Sequence, residues 1–468
     1  MGPTRALHRS WAWRFPVSSS RAPGTLWPRL CLVVAAALVS GACGSTSTAT
    51  ATSTPIPTPT NGSSATRVYV ALGDSLTAGM VSAALVVTHQ AYSFPAQIAR
   101  QAAITDFQQP LVSPPGIDPE LQLLRFYQGP IYIAPSATTP GTPLNGNLTG
   151  PYNNLGVPTA KLADLATSTG TANSFHGLIL RDLGTAFTQC VRLRPSLVTL
   201  WIGNSDVLSA VVGGRAVDGT TLTPTDQFES TFTQDIKSLA SSTSATIIVA
   251  NIPDFTKTPF ATTLKPYVVD QTTGEPKLQD GQHIPLVGPG GTALAPSALV
   301  TLRASTYFAN GDGIPVAAGG SGKALPDEVI LDSNEVDVIR AHVEAYNRAI
   351  DKACKDAGIP VVDLHALFET WVSGGLVVGG TQLDSTFLTG GLYSYDGIHL
   401  TDIGYALVAN EWIRTINQNG DTIPLVNLSP IMGFQGGYAA PQPVAPTPPF
   451  RFTQEAEAAL LGIYPGAR

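Results

Sequence analysis

The stretch of sequence that decides the fold is VYVALGDSL, at residues 68–76. Five apolar residues followed by Gly73 predict a buried strand, and a helix-like segment comes directly after it. A nucleophilic serine needs a sharp turn from strand to helix that exposes its hydroxyl group, so Ser75 is a candidate nucleophile. The alternative is that Asp74 and Ser75 only cap the following helix, and this motif by itself favours neither interpretation.

Three further apolar runs predict buried strands, at residues 196–202, 245–250 and 358–364. Two of them are preceded by stretches whose apolar residues recur at helical spacing. These residues are Phe228, Phe232, Ile236 and Leu239 in the first stretch, and Val336, Ile339, Val343, Tyr346 and Ile350 in the second. The alternation of strand and helix predicts a parallel sheet covered on both faces, with a site beyond the carboxyl ends of its strands.

A second candidate element is YDGIHL, at residues 395–400. Asp396 and His399 stand three residues apart on a predicted tight turn, where a hydrogen bond between them would fix the imidazole tautomer. The alternative is an isolated surface histidine beside a helix cap at Thr401. A serine after the first strand and this turn after the last strand converge on one edge of a parallel sheet. We therefore predict a catalytic triad of Ser75, Asp396 and His399.

With both elements in place, the chain resembles the GDSL/SGNH hydrolase family from about residue 68 to residue 416. The first family block is matched by GDSL at residues 73–76, and the last by DGIH at residues 396–399 with LTDIGY after it. The resemblance implies an α/β fold, a flavodoxin-like three-layer α/β/α sandwich with a central parallel sheet. It also implies ester hydrolysis through an acyl intermediate on Ser75, without a metal or other cofactor.

The second family block departs from the pattern. In NLGVPT, at residues 154–159, Thr159 stands where the family has a glycine that donates its backbone N–H to the oxyanion. A backbone N–H does not require glycine, so Thr159 remains a candidate donor, and Gly156 is the nearest substitute. The resemblance implies that this donor acts together with the N–H of Ser75.

The third family block also departs, because GNSD at residues 203–206 places Ser205 where the family has a side-chain donor, asparagine. Either the Ser205 hydroxyl donates to the oxyanion, or Asn204 takes the role after a slip of one residue. The loss of one oxyanion donor typically lowers kcat by ~10²–10³, which slows catalysis without abolishing it. The two departures also leave open a protein that binds at the cell envelope with little or no turnover.

The N-terminus has the layout of an export signal. Five arginines and no acidic residue occur in residues 1–29, and residues 30–39 form an apolar run that is too short for a membrane span of about 20 residues. LVSGAC at residues 38–43 resembles a bacterial lipobox. We therefore expect a signal peptide at residues 1–42, a lipidated Cys43 that anchors the protein to the membrane of the cell envelope, and a flexible Ser/Thr/Pro-rich linker at residues 43–66. The alternative is a secreted protein without a lipid.

The remaining chain predicts one domain at residues 67–420, with an insertion at about 256–332 over one edge of the sheet. A Pro-rich tail at residues 421–468 is expected to wrap the surface, with a short helix at 453–461. Removal of residues 1–42 takes away five of the 26 basic residues and none of the 33 acidic ones, leaving a net charge of −12. This charge disfavours binding to nucleic acid.

The other cysteines and histidines that could bind a metal or take part in catalysis are scattered along the sequence. Cys190 and Cys354 have no metal-type spacing and are either bridged or free, and the remaining histidines form no motif. The expected activity is hydrolysis of a small-molecule or lipid carboxylic ester. Within hydrolases the main alternative is a carbohydrate O-acetylesterase.

Overall fold

The computed structural model describes residues 67–125, 131–170, 174–270, 273–433 and 450–467. The predicted signal peptide, Cys43 and the linker lie outside the described residues. Within the described part of the chain, no helix has the length and apolar character that a membrane crossing requires.

The described strands are short and are numbered in chain order. They are β1 Tyr69–Gly73, β2 Leu121–Arg125, β3 Ile131–Pro135, β4 Asn154–Gly156, β5 Leu197–Trp201, β6 Thr246–Ala250, β7 Leu278–Gln279, β8 Gln282–His283, β9 Leu299–Val300, β10 Ile330–Leu331, β11 Val361–Val362, β12 Leu376–Val378, β13 Thr381–Leu383 and β14 Phe450–Phe452.

The described α-helices are numbered in the same way. They are α1 Ser75–Ala78, α2 Val87–Gln90, α3 Phe94–Gln101, α4 Asp164–Thr167, α5 Phe175–Leu180, α6 Ala186–Arg192, α7 Ser205–Gly213, α8 Thr225–Ser242, α9 Pro259–Thr262, α10 Ser305–Phe308, α11 Ser333–Ala357, α12 Leu364–Ser373, α13 Asp402–Gln418, α14 Leu428–Gly433 and α15 Gln454–Ile463. The 3-10 helices are Phe255–Lys257, Pro289–Gly291, Leu302–Ala304, Val316–Ala318, Asp327–Val329 and Pro465–Ala467.

The central sheet has five parallel strands in the spatial order β4-β1-β5-β6-β11. Counted along the chain, this is the order 2-1-3-4-5 of flavodoxin-like folds, which bind ligands where the strand order reverses. The reversal lies at β1, because its neighbours are β4 and β5. Gly73 at the end of β1 pairs with Gly156 and with Trp201, so these three strands end at the same level. The predicted fold class is confirmed.

Helices flank this sheet in two groups: α8 packs against α11, and α3 packs against α13. The apolar positions predicted on α8 and α11 are all buried, as an amphipathic helix on a sheet requires. β1 and β5 are buried along their whole length, which explains their continuous apolar sequences. Helix α11 begins with a capping box of Asp332 and Glu335 and ends at Gly358, whose φ of 68° suits glycine.

Two parts of the fold differ from expectation. Strand β4 was not among the predicted strands, because three residues are too few to show a strand period. A second sheet, β2-β3-β14, joins the C-terminal tail to the region after β1. The helix predicted in the tail is α15, which starts after its cap Thr453.

Residues 256–332, the predicted insertion, form short antiparallel pairs and a small apolar cluster of their own. They also support the turn at residues 395–400, because the Phe260 N–H donates to the Gly397 carbonyl at 3.0 Å. Cys190 and Cys354 are free and buried, and burial raises the pKa of each thiol to about 12. The structure thus shows two thiols at these positions and no bridge between them.

Candidate active site

Ser75 is held at the end of β1 by a very tight turn. Helix α1 begins at Ser75 itself, and the Asp74 carboxylate caps it by accepting the Leu76 N–H at 3.1 Å. A Cβ atom on Gly73 would lie only 2.1 Å from Thr77 Oγ1, so the turn requires glycine at this position. The sequence Gly-Asp-Ser-Leu therefore agrees with both interpretations of this motif, because it caps a helix and also places the serine at the switch point of the sheet.

Ser75, His399 and Asp396 form one hydrogen-bonded chain. Ser75 Oγ lies 2.9 Å from His399 Nε2, and His399 Nδ1 lies 2.7 Å from Asp396 Oδ2. All three residues are fully buried. With Asp396 ionised, the imidazole donates its Nδ1–H to the carboxylate, and its Nε2 is then free to accept the serine proton.

Asp396 is held in its charged form by several donors. Its Oδ1 atom accepts the N–H groups of Ile398 and His399, both at 2.8 Å, and its Oδ2 atom accepts the Ala83 N–H at 2.7 Å. Burial acts to raise the pKa of Asp396, but the charge and hydrogen bonds of His399 and the backbone donors outweigh it, so the pKa lies below its usual value. The carboxylate is therefore a fixed negative charge beside the imidazole.

The Ala83 donor was not predicted from the sequence. Ser82 and Ala83 occupy a tight turn between Val81 and Ala84, with φ values of 49° and 62°. This left-handed conformation is uncommon for residues other than glycine and aims the Ala83 N–H at Asp396. A backbone donor has no side-chain signature, so the only signal in the sequence is that two small residues occupy the turn.

The third family block lies at the start of α7, next to Ser75. Ser205 is buried, and its hydroxyl has no hydrogen-bond partner among the described residues. The Asn204 amide instead donates to Asp74 Oδ2 at 3.0 Å. Burial raises the pKa of Asp74 to about 7, although the Leu76 N–H and Asn204 act to lower it. The structure thus leaves Ser205 available and gives Asn204 a different partner.

The second family block places Thr159 in the left-handed conformation, with φ of 75°. This is the conformation that glycine adopts easily and that a β-branched residue adopts rarely. The Thr159 hydroxyl lies 3.1 Å from His176 Nε2, and His176 Nδ1 lies 2.6 Å from Ser168 Oγ. In the described part of the chain the Thr159 N–H has no acceptor, whereas the Gly156 N–H donates to Asn154 Oδ1 at 3.0 Å.

Tyr464, from the C-terminal tail, lies beside the same imidazole. Its hydroxyl is 3.4 Å from His399 Nε2, and the side chain is almost fully buried, at 1% exposure. The tail was expected to wrap the surface, and no motif in it pointed to the site. The pattern of a short helix was visible, but where that helix docks depends on contacts with residues far away in the sequence.

His89 forms a separate buried cluster close to the turn that carries His399. Its Nδ1 lies 2.8 Å from Asp402 Oδ1, and its Nε2 lies 3.0 Å from Glu120 Oε1. Burial lowers the pKa of His89, but the hydrogen bonds and charges of these two carboxylates outweigh it and raise the pKa to about 10. The cluster is a buried cation between two acids. Among the residues described, no group of three or more His, Cys, Asp and Glu side chains is placed to hold a metal ion.

The fold and these contacts define an α/β protein with a serine, a histidine and an aspartate at the switch point of its sheet. The profile of the family described as GDSL-like Lipase/Acylhydrolase matches residues 69–412, well over half of the chain. The chain belongs to this family, as the sequence motifs predicted, and is an enzyme that acts on carboxylic esters.

The chain is also similar to several solved structures at low identity. An α/β hydrolase from the metagenome of Lake Arreo, Spain, is 12% identical over 75% of this chain and 96% of its own, with a TM-score of 0.35. A lipase/acylhydrolase from Enterococcus faecalis is 12% identical over 77% and 99%, with a TM-score of 0.33. An extracellular lipase from Streptomyces rimosus is 12% identical over 75% and 98%, with a TM-score of 0.30. No curated protein matches significantly. These likenesses are too weak to suggest a substrate.

Proposed function

We propose that the protein hydrolyses carboxylic esters through a covalent acyl intermediate on Ser75. The observation that carries the proposal is the unbroken hydrogen-bonded chain from Asp396 through His399 to Ser75. Such a chain activates a serine because the imidazole accepts the hydroxyl proton while the aspartate stabilises the resulting imidazolium. If Asp74 and Ser75 only capped helix α1, His399 Nε2 would not need to lie 2.9 Å from Ser75 Oγ, so this distance favours the catalytic interpretation.

In the first half of the reaction, Ser75 Oγ attacks the ester carbonyl while its proton passes to His399 Nε2. The tetrahedral intermediate collapses when the bond to the alcohol oxygen breaks, and His399 returns the proton to that oxygen. In the second half, water attacks the acyl group, and His399 accepts the proton of the water. The acid leaves as the bond to Ser75 Oγ breaks and the serine regains its proton.

The negative oxygen of the intermediate needs donors on the side of Ser75 away from His399. We assign this role to the backbone N–H groups of Ser75 and Thr159 and to the hydroxyl of Ser205. Thr159 and Ser205 are supported by the same feature: each has a donor without a protein acceptor in the described part of the chain. Ser205 is buried, and a buried donor without an acceptor is rare in folded proteins, whereas Thr159 is only partly buried. Oxyanion sites are among the places where such unpaired donors occur.

The test is hydrolysis of p-nitrophenyl esters from acetate to palmitate by the purified protein. We expect turnover by the wild type, background rates for Ser75→Ala, and unchanged rates for Ser241→Ala, which removes an exposed hydroxyl on α8. Equal activity of Ser75→Ala and wild type would contradict the proposal. Acetylated xylan in the same panel separates a carbohydrate O-acetylesterase from a lipase-like enzyme, and a wild type that is inert towards every ester would favour a binding protein.

We further propose that the exported protein begins at a lipidated Cys43. The support is the sequence alone: the arginine-rich residues 1–29, the short apolar run and the lipobox-like residues 38–43. Mass spectrometry of the mature N-terminus is the test, with Cys43→Ser as the control that should release the protein from membranes. An unmodified N-terminus downstream of Cys43 in a freely soluble product would show that the protein is merely secreted.

A further inference from the structure

The C-terminal segment, defined here as residues 450–467, folds back onto the active site. Its first part, β14, pairs in parallel with β3, with Phe450 opposite Ile131 and Phe452 opposite Ile133. Helix α15 follows, and the last 3-10 turn packs against α7, the helix that begins at Ser205. The segment therefore reaches across the molecule from the second sheet to the oxyanion side of the site.

An ion pair that is buried on the side of Arg303 joins this segment to residues 256–332. Arg303 is 4% exposed, and its Nε donates to Glu457 Oε1 at 2.8 Å. The same guanidinium donates through Nη1 to the carbonyl oxygens of Val212 and Glu328. Because Glu457 lies on α15 and Val212 lies on α7, the guanidinium links these two helices. Several apolar residues of the segment are also buried, namely Phe450, Phe452, Ala456, Leu460 and Ile463.

In the docked position, Tyr464 takes a place that the reaction needs. His399 must protonate the leaving alcohol oxygen, so this oxygen has to lie within hydrogen-bond distance of His399 Nε2 and close to Ser75 Oγ. The Tyr464 hydroxyl already lies there, 3.4 Å from His399 Nε2, the same atom that lies 2.9 Å from Ser75 Oγ. With Ser75 and His399 both at 0% exposure, an ester cannot approach Ser75 to the roughly 3 Å at which attack begins.

We propose that the C-terminal segment is a cap that closes the active site, and that Tyr464 is the plug that occupies the place of the leaving alcohol. The ester reaches Ser75 only after the segment has withdrawn from α7. This inference rests on the proposed function, since it assumes that Ser75 is the nucleophile. It adds a closed, self-inhibited state in which substrate competes with a side chain of the enzyme itself.

A reversible disulfide tests whether the cap has to move. A Cβ atom on Gly466 would lie 3.4 Å from Ser209 Cβ on α7, close to the roughly 3.5–4.5 Å found in disulfides. The double variant Ser209→Cys/Gly466→Cys can therefore staple the segment to α7. The native Cys190 and Cys354 are buried and do not compete. The two single-cysteine variants, treated with the same oxidant, are the matched controls.

Two rates are measured for the oxidised and the reduced double variant: hydrolysis of p-nitrophenyl butyrate, and covalent modification of Ser75 by a p-nitrophenyl alkylphosphonate. We expect both rates to be at least tenfold lower in the oxidised protein and to recover on reduction. In the unstapled protein, Tyr464→Ala should raise both rates and Tyr464→Phe should raise them less, because it removes only the hydroxyl.

The outcomes separate the cap from the proposed function. Equal rates before and after reduction, with the disulfide verified by mass spectrometry, would overturn the cap and leave ester hydrolysis standing. Modification of Ser75 that responds to the staple, without hydrolysis of any ester, would keep the cap and overturn the function. A loss of turnover in Tyr464→Phe as large as in His399→Ala would make Tyr464 a catalytic residue and overturn the cap. A reduced protein that shows neither reaction would overturn both.

Discussion

The two sides of the active site differ in how their polar groups are paired. On the triad side, Asp396 accepts hydrogen bonds from three backbone N–H groups as well as from His399. His399 in turn hydrogen-bonds to Ser75. On the proposed oxyanion side, the Ser205 hydroxyl has no partner among the residues that the structure describes, and Thr159 is held in an uncommon conformation. In the proposed mechanism, the groups that move a proton are thus fixed before substrate binds, whereas the groups assigned to stabilise charge are left unpaired until charge develops.

This contrast predicts that changes on the triad side have the largest effects. His399→Ala should lower kcat by roughly 10⁴-fold or more, because it removes the base that lies within hydrogen-bond distance of Ser75 Oγ. Asp396→Asn should retain somewhat more activity, because it disturbs the orientation and charge of the imidazole without removing the base. Steady-state kinetics with p-nitrophenyl butyrate measures both, and circular dichroism checks that the variants are folded. Activity of His399→Ala within tenfold of the wild type would contradict the claim that the triad side contributes more to catalysis than the oxyanion side.

The next largest effect concerns stability on the triad side, where His89 pairs with Asp402 just after the His399 turn. His89→Gln should lower the free energy of unfolding by about 3 kcal/mol, because it leaves the buried carboxylate of Asp402 and the partly buried one of Glu120 without their cation. Since the folded pKa of His89 is raised from 6.5 to about 10, its stabilisation is full below pH 6.5 and is lost as the pH rises to about 10.

Denaturant titrations between pH 6 and pH 10 measure this dependence. The difference between wild type and His89→Gln should shrink towards pH 10, while His283→Gln, which changes an exposed histidine, should show no such trend. A difference that grows with pH would mean that His89 is neutral in the folded protein.

On the oxyanion side the expected effects are smaller. Ser205→Ala should lower kcat about tenfold with little change in KM, less than the ~10²–10³ typical of a strong oxyanion donor. Ser205→Asn, which restores the residue usual in the family, should raise kcat. The neighbouring residue Asn204 provides a control variant. Asn204→Ala should mainly lower stability, because the Asn204 amide donates a hydrogen bond to Asp74. If Asn204→Ala instead causes the larger loss of kcat, Asn204 is the side-chain donor.

The smallest effect should come from Thr159 and its hydrogen bond to His176. His176→Ala should lower kcat about fivefold in the wild type, a coupling of about 1 kcal/mol, because it releases the side chain that holds the left-handed backbone. In a Thr159→Gly background the same change should have almost no effect, since glycine adopts this conformation unaided. A double-mutant cycle on kcat measures the coupling. Equal losses in the two backgrounds would show that His176 does not position Thr159.

Much of the central sheet could be predicted because its strands are buried on both faces. β1, β5, β6 and β11 appear as apolar runs in the sequence, and the helices before β6 and β11 show clear amphipathic spacing. β4 was missed because it has three residues. The second sheet was missed because β14 pairs with β3, which lies hundreds of residues earlier in the chain, and local patterns carry no information about such pairings.

The site shows the same division. Ser75, Asp396 and His399 were predicted because the chemistry needs these side chains at two recognisable turns, and the structure brings them together. The Ala83 N–H was missed because a backbone donor can come from any residue. Tyr464 was missed because its place depends on how the tail docks. Ser205 and Thr159 were identified only as departures from a pattern, and the sequence could not show that Asn204 bonds to Asp74.

The most direct test of the account is stoichiometric modification by a p-nitrophenyl alkylphosphonate, which mimics the ester but leaves a stable adduct on an activated serine. We predict release of p-nitrophenolate in proportion to the protein, with loss of esterase activity in step and the adduct located by mass spectrometry on Ser75. Ser75→Ala should release none and carry no adduct. An adduct on another residue, or esterase activity that survives full modification of Ser75, would contradict the claim that the Asp396–His399–Ser75 chain carries the reaction.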